Sequence, residues 1–188
     1  MCDDDSIRRD DALVIVDVQN DFCPGGALPI AEGDAILPRV NALIEAAERA
    51  GALVVASRDW HPPDHVSFAA RGGPWPRHCV QGEPGAAFHP ALRLPERATI
   101  ITKGDRDDTD QYSAFDRTSL AEALRRHGVR RVWLCGLALD VCVRATALDS
   151  LAAGFPTLLV ASASRPVTEA GGAAALRDFS RAGGHVVT

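Results

Sequence analysis

No apolar run in this 188-residue sequence comes near the roughly 18–20 residues needed to cross a bilayer. The start, MCDDDSIRRDD, lacks the basic-then-apolar order of a secretory leader, so a cytoplasmic protein is expected. Positive charge is not in excess either. Twenty Lys and Arg stand against 25 Asp and Glu, a formal net charge of −5, which leaves no electrostatic footprint for nucleic acid or an anionic membrane. A small neutral or cationic partner remains. The five cysteines (Cys2, Cys23, Cys79, Cys135 and Cys142) are odd in number and include no CxxC pair, in a chain too large to need a disulfide framework. Free thiols are expected, most of them small buried hydrophobes. Internal repeats are also missing, and with 46% hydrophobic residues the length suits one domain around one core. Homo-oligomers are as compatible with this composition as monomers.

What is present is an alternation. Short runs rich in β-branched residues at 12–16 (ALVIV), 52–56, 98–102, 131–135, 157–161 and 185–187 predict six buried strands. Segment 34–50 places Ile36, Val40, Leu43, Ile44 and Ala47 on one helical face, with Asp34 as cap, Pro38 near the start and Gly51 just past the end. Further helices are expected over 117–127, 140–153 and about 172–182. Strand and helix in this order predict an α/β fold, a three-layer α/β/α sandwich with a central, mostly parallel sheet of about six strands. The stretch 60–97 interrupts the rhythm: it holds most of the twelve prolines and no sustained periodicity. It is expected to be an irregular functional insertion within a single domain, 1–188.

In such sheets the ligand crevice lies beyond the carboxyl ends of the strands. Polar residues gather there. The first strand ends in Asp17, the second runs into Asp59 and His61, the third into Lys103, and the fourth passes through a Gly-containing turn to Cys142. Singly, these read as a turn cap, a surface charge and a core thiol; together they make a nucleophile set. Cys142, in the first turn of a helix opened by Asp140, would be favoured as a thiolate by unpaired N–H groups and by a nearby lysine. Asp17 would carry the proton, and backbone amides of the 138–142 turn would hold an oxyanion. Cys135, inside a strand, belongs to the core. A second set is Asp59, His61 and His65, with His78 returning from the insertion, a carboxylate and imidazoles that suit zinc, iron or manganese. His89, His127 and His185 lack such company, and the acidic run Asp105 to Asp110 reads as a solvated loop.

Five segments together, DVQNDFCPGGALPI (17–30), SRDWHPPDHVSF (57–68), WPRHCVQGEPGAAFHP (75–90), KGDRDDTDQYSAF (103–115) and GLALDVCVRATALD (136–149), resemble the nicotinamidases among the isochorismatase-like cysteine hydrolases. The resemblance implies the isochorismatase-like hydrolase fold and an Asp17, Lys103, Cys142 triad. It implies one divalent metal ion, with zinc the first choice, on Asp59, His61 and His78, and His65 as a further candidate. It also implies ring walls from Phe22, Trp75 and Tyr112, an oxyanion hole from the amides of Ala138 and Cys142, and a cis peptide before Ala138. The activity implied is hydrolysis of nicotinamide, and of pyrazinamide, through a thioester, in pyridine nucleotide salvage. Another small carboxamide or ureide is the alternative substrate. Two positions depart from the family pattern: Leu139, where Thr is common, and Ser162, where Asp often follows the fifth strand.

Overall fold

A computed structural model describes residues 6–188; Cys2 lies outside them. Six strands, β1 (Asp11–Val16), β2 (Leu53–Asp59), β3 (Thr99–Lys103), β4 (Arg131–Leu137), β5 (Thr157–Arg165) and β6 (His185–Val187), alternate with helices α1 (Leu37–Ala50), α2 (Leu120–Arg126), α3 (Arg144–Ala152) and α4 (Glu169–Arg181). α1 joins β1 to β2, α2 joins β3 to β4, α3 joins β4 to β5 and α4 joins β5 to β6. The strands form one sheet in the order β3-β2-β1-β4-β5-β6, and each adjacent pair is parallel.

Every residue of β1 is buried, because helices cover both faces and the strand needs no polar side. Leu13 and Ile15 share a core with Val40, Leu43, Ile44 and Ala47 of α1. Ala12, Val14 and Val16 share the opposite core with Leu120 of α2, Ala147 of α3 and Phe179 of α4. Alternate side chains of one strand thus feed two cores, which makes the expected α/β/α sandwich. Cys135 is fully buried in the α1-side core, as its place in β4 implied. Cys23, Cys79, Cys135 and Cys142 are all free thiols. Among the described residues no helix is long and apolar enough to cross a membrane.

Element boundaries differ from the sequence pattern for local reasons. Asp34 does not cap α1: Gly33–Ile36 is a 3-10 turn, the N-cap is Ile36, and Pro38 enters the first turn, where its missing N–H costs nothing. Gly51 closes the helix at φ 71°, as expected. α2 begins three residues late because Arg117 has φ 53°, which no right-handed helix admits. α4 begins early because Thr168 accepts the Gly171 N–H at 3.0 Å and caps it. Segment 140–153 is not one helix; a π turn over Leu139–Val143 precedes α3. Between β2 and β3 the chain carries two short 3-10 turns, Ala69–Arg71 and Pro84–Ala86, and isolated bridges instead of regular elements.

Candidate active site

The chain leaves β1 toward β2 on one side of the sheet and arrives at β4 on the other, so the strand order reverses between β1 and β4. A crevice opens beyond the carboxyl ends of two strands at such a switch point. Asp17 follows β1 directly with φ 49°, a left-handed conformation that Asp tolerates better than most residues. Opposite it, Gly136 pairs with Val16 at φ 125°, and a Cβ there would collide with the Val16 carbonyl oxygen. This close approach lets β4 turn sharply. The Leu137–Ala138 peptide is cis, as the resemblance implied. Val141 and Val143 both donate to the Ala138 carbonyl, at 3.1 and 3.0 Å, closing the turn that carries Cys142.

Lys103, the last residue of β3, is fully buried and is the only lysine in the sequence. Its Nζ lies 2.8 Å from Asp17 Oδ2, 2.5 Å from Asp59 Oδ1 and 3.5 Å from Cys142 Sγ, to which it donates. Asp17 Oδ1 accepts from Ser57 Oγ at 2.7 Å. Oδ2 faces the ammonium but receives no aligned donor, so it keeps a lone pair for another proton. Asp17, Asp59 and Cys142 each bring an acceptor atom within 4.8 Å of the others. Burial pushes the Asp17 carboxyl above the ordinary range against the pull of Lys103. Burial also drives the Cys142 thiol well up, more strongly than Lys103 draws it down, with Asp17 and Asp59 adding to the rise. The sequence pattern contains the helix start and the lysine that favour a thiolate, but not the desolvation and the two carboxylates that oppose it.

The second set is built by strand-like pairing inside the irregular insertion. His61 N–H donates to Cys79 O at 2.8 Å and Gln81 N–H to His61 O at 2.9 Å, which sets His78 beside His61. Asp21 fixes the returning strap, its Oδ2 accepting the Cys79 N–H at 2.7 Å. Asp59, His61 and His78 are buried and bring one ligand atom each within 4.8 Å of one another. His61 Nδ1 donates to Gly104 O at 2.9 Å and His78 Nδ1 to Pro76 O at 2.7 Å. In the neutral form of each ring the other nitrogen then carries no proton, the tautomer a metal requires. Burial would keep His61 neutral, but Asp59, 3.6 Å from its Nε2, outweighs burial and raises it. Burial would likewise raise Asp59, but Lys103 and His61 reverse this and hold it well below the usual carboxylate range. A buried carboxylate and two oriented imidazoles form an N/O donor set that fits a divalent transition metal.

His65 stands apart from that set. Both its nitrogens are engaged, Nδ1 with Ser67 Oγ at 2.7 Å and Nε2 with Thr109 O at 3.0 Å, and its ring stacks on His61 with centroids 4.1 Å apart.

Both sets open into one cleft of about 530 Å³ open to solvent, lined by Asp59, His61, His78 and Cys142 together with Phe22, Trp75 and Tyr112. Trp75 donates from Nε1 to the Tyr112 hydroxyl at 3.1 Å, joining the insertion to the loop after β3. Asp110 also lines the cleft. The acidic run is thus not simply a solvated loop: its backbone holds His65 and, through Asp107 O, Val66. His89 and His127 make local turn and helix-end contacts, as expected.

Sequence reasoning passed over Gln19. Its side chain is fully buried, accepts the Asp59 N–H at 2.8 Å and donates to the carbonyls of Asp59 and Ala86, each at 2.8 Å. It fixes Asp59 from behind and ties the insertion to β1. The available signal was a polar side chain two residues beyond Asp17, at the exit of a strand that is buried throughout. Gln19→Met should weaken zinc binding by roughly tenfold to 100-fold, the usual loss when a ligand's own support is removed. Competition against a chromogenic chelator measures it, and an unchanged zinc affinity would show that Asp59 needs no such support.

A parallel sheet with a buried Cys, Lys and Asp cluster beyond its switch point has the form of the isochorismatase-like α/β hydrolases. Residues 11–188 match the isochorismatase domain, and the chain belongs to that family. It is 40% identical over 177 residues to a nicotinamidase of Escherichia coli, covering 83% of each chain. Among solved structures it resembles the pyrazinamidase of Pyrococcus horikoshii in complex with zinc, at 50% identity and a TM-score of 0.93 over 95% of this chain and 99% of that one. A protein of L. infantum in complex with nicotinate is 38% identical, with a TM-score of 0.89 over 97% and 95% of the two chains.

Proposed function

We propose that this chain hydrolyses nicotinamide to nicotinate and ammonia through a thioester on Cys142, and accepts pyrazinamide as a second substrate. The observation that carries the reading is Lys103 Nζ lying within 2.8 Å of Asp17 and 3.5 Å of Cys142 Sγ, in a cleft that also contains Asp59, His61 and His78. Relatives that are nicotinamidases and a pyrazinamidase with zinc support the substrate class and the metal.

The chemistry begins with a proton transfer. Asp17, made a stronger base by burial, takes the Cys142 proton on Oδ2. The negative charge moves from carboxylate to sulfur while staying beside the same Lys103 ammonium, so charge is relocated and little reorganisation is required. The thiolate attacks the carboxamide carbon, and the amides of Ala138 and Cys142 receive the oxyanion. Asp17 returns its proton to the amide nitrogen, the C–N bond breaks and ammonia leaves. Water then attacks the thioester with Asp17 as base, the C–S bond breaks, and the proton passes back to sulfur as the acid is released. Zinc on Asp59, His61 and His78 would supply a Lewis acid for the ring nitrogen, setting the ring rather than activating the water. Phe22, Trp75 and Tyr112 wall the ring.

Ammonia release over a panel of carboxamides tests this. Nicotinamide and pyrazinamide should exceed benzamide, which lacks the ring nitrogen, by at least tenfold in kcat/KM, and chelation should narrow that gap. Benzamide turned over equally well, or a preference for an aliphatic carboxamide or ureide, would assign the site to another amide.

A further inference from the structure

Asp140 stands two residues before Cys142, yet its carboxylate does not cap its own turn. Oδ1 accepts the Val167 N–H at 2.7 Å and Oδ2 the Thr168 N–H at 3.2 Å, both in the loop between β5 and α4. Gly171, in the first turn of α4, lies so close that a Cβ would collide with Asp140 Oδ2, and Gly172 would meet Pro166 in the same way. The carboxylate thus sits among N–H donors at the positive end of α4, where a negative charge is favoured. It fastens two elements. On one side is the π turn Leu139–Val143, which bears the nucleophile; on the other is a loop that no strand pairing restrains. That loop presents Val167 to the cleft, and Val167 is one of only two large hydrophobic side chains exposed among the described residues, at 47%. A branched side chain in the wall of a cleft that contains Cys142 narrows the space open to a ring there.

We propose that Asp140 is a positioning residue that holds Val167 against the cleft, and that Val167 is a specificity-determining residue limiting the size of ring that reaches Cys142. The inference rests on the carboxamide reading above. It assigns Asp140 no contact with substrate; its effect passes through the loop.

The readout is the ratio of kcat/KM for nicotinamide to kcat/KM for the ring-fused quinoline-3-carboxamide. Taken on one preparation, this ratio does not depend on how much of a variant is folded. Val167→Ala should lower the ratio about tenfold, the scale of discrimination available to an apolar wall. Asp140→Asn keeps the side chain's shape but leaves one acceptor oxygen for two N–H groups, and should lower the ratio by a comparable factor. The double variant should fall no further than either single one, because both changes release the same contact. A ratio unmoved by Asp140→Asn, or losses that multiply in the double variant, would overturn the inference while leaving the nicotinamide reading intact. If the wild type prefers a different carboxamide, that reading fails, and the same ratio between the preferred amide and its enlarged analogue decides this one.

Discussion

Cys142→Ala is expected to lower kcat for nicotinamide by about four orders of magnitude or more, the loss typical when a nucleophile acting as one unit with its base is removed. Nothing else in the cleft can replace it: the remaining described thiols are buried in cores, and burial raises Cys23 to about 11 and Cys135 to about 12. Cys79 is likewise pushed up by burial. The fold should survive, since the substitution removes one sulfur at a cleft wall and leaves Lys103 its two carboxylate partners. Steady-state ammonia release, with thermal melting as control, measures both halves. Iodoacetamide should inactivate the wild type in step with modification of Cys142, and nicotinamide should slow that inactivation. Normal turnover by Cys142→Ala, abolished by chelation, would mean that a metal-bound water attacks the amide directly.

How far the sequence led depends on which physics each feature obeys. The strands were legible because a strand buried on both faces must read as a short apolar run, and β1 does so from Ala12 to Val16. The Asp17, Lys103 and Cys142 grouping was legible because parallel strands deliver their carboxyl ends to one edge. Helix starts were less so: Arg117 and the 3-10 turn at Gly33–Ile36 obey local dihedral preferences that hydrophobic periodicity does not encode. The upward push of burial on the Cys142 thiol was illegible for a different reason, since desolvation is a property of the assembled core. Gln19 was passed over, and Asp140 was read only as the opener of its own helix, because each acts on backbone groups of distant segments, and such partners have no spacing signature. One compositional signal was available: a chain whose basic residues are otherwise all arginine keeps a single lysine. Arginine's guanidinium cannot be enclosed as a compact point charge among three acceptors, and lysine's ammonium can.

Lys103→Met should therefore damage both stability and catalysis. In the wild type a fully buried ammonium lies against both Asp17 and Asp59; without it two carboxylates face each other in a desolvated site. Breaking a buried charge pair from one side typically costs about 3–5 kcal/mol, visible as a lower denaturation midpoint of the metal-free protein at unchanged slope. The pH dependence has a defined sign. Burial alone would lower the Lys103 pKa, but Asp17 and Asp59 overcome it and raise it well above its ordinary value. Its contribution is then complete below roughly pH 10, the unfolded value, and is lost only as pH climbs through the raised one. The Lys103 contribution itself should therefore not titrate between about pH 7 and pH 9, whereas Asp17, holding a proton in the variant that its unfolded state lacks, makes the stability gap widen as pH rises across that range. Catalysis should fall by about 10²- to 10⁴-fold, because Asp17, now facing Asp59 with no cation between them, holds a proton it can no longer exchange with Cys142. Zinc separates the two effects. As a cation on Asp59 it should restore part of the stability by mass action, yet it leaves Asp17 and Cys142 without their shared ammonium. Recovery of stability without recovery of turnover is the expected result; recovery of both would mean that Lys103 serves only to balance charge.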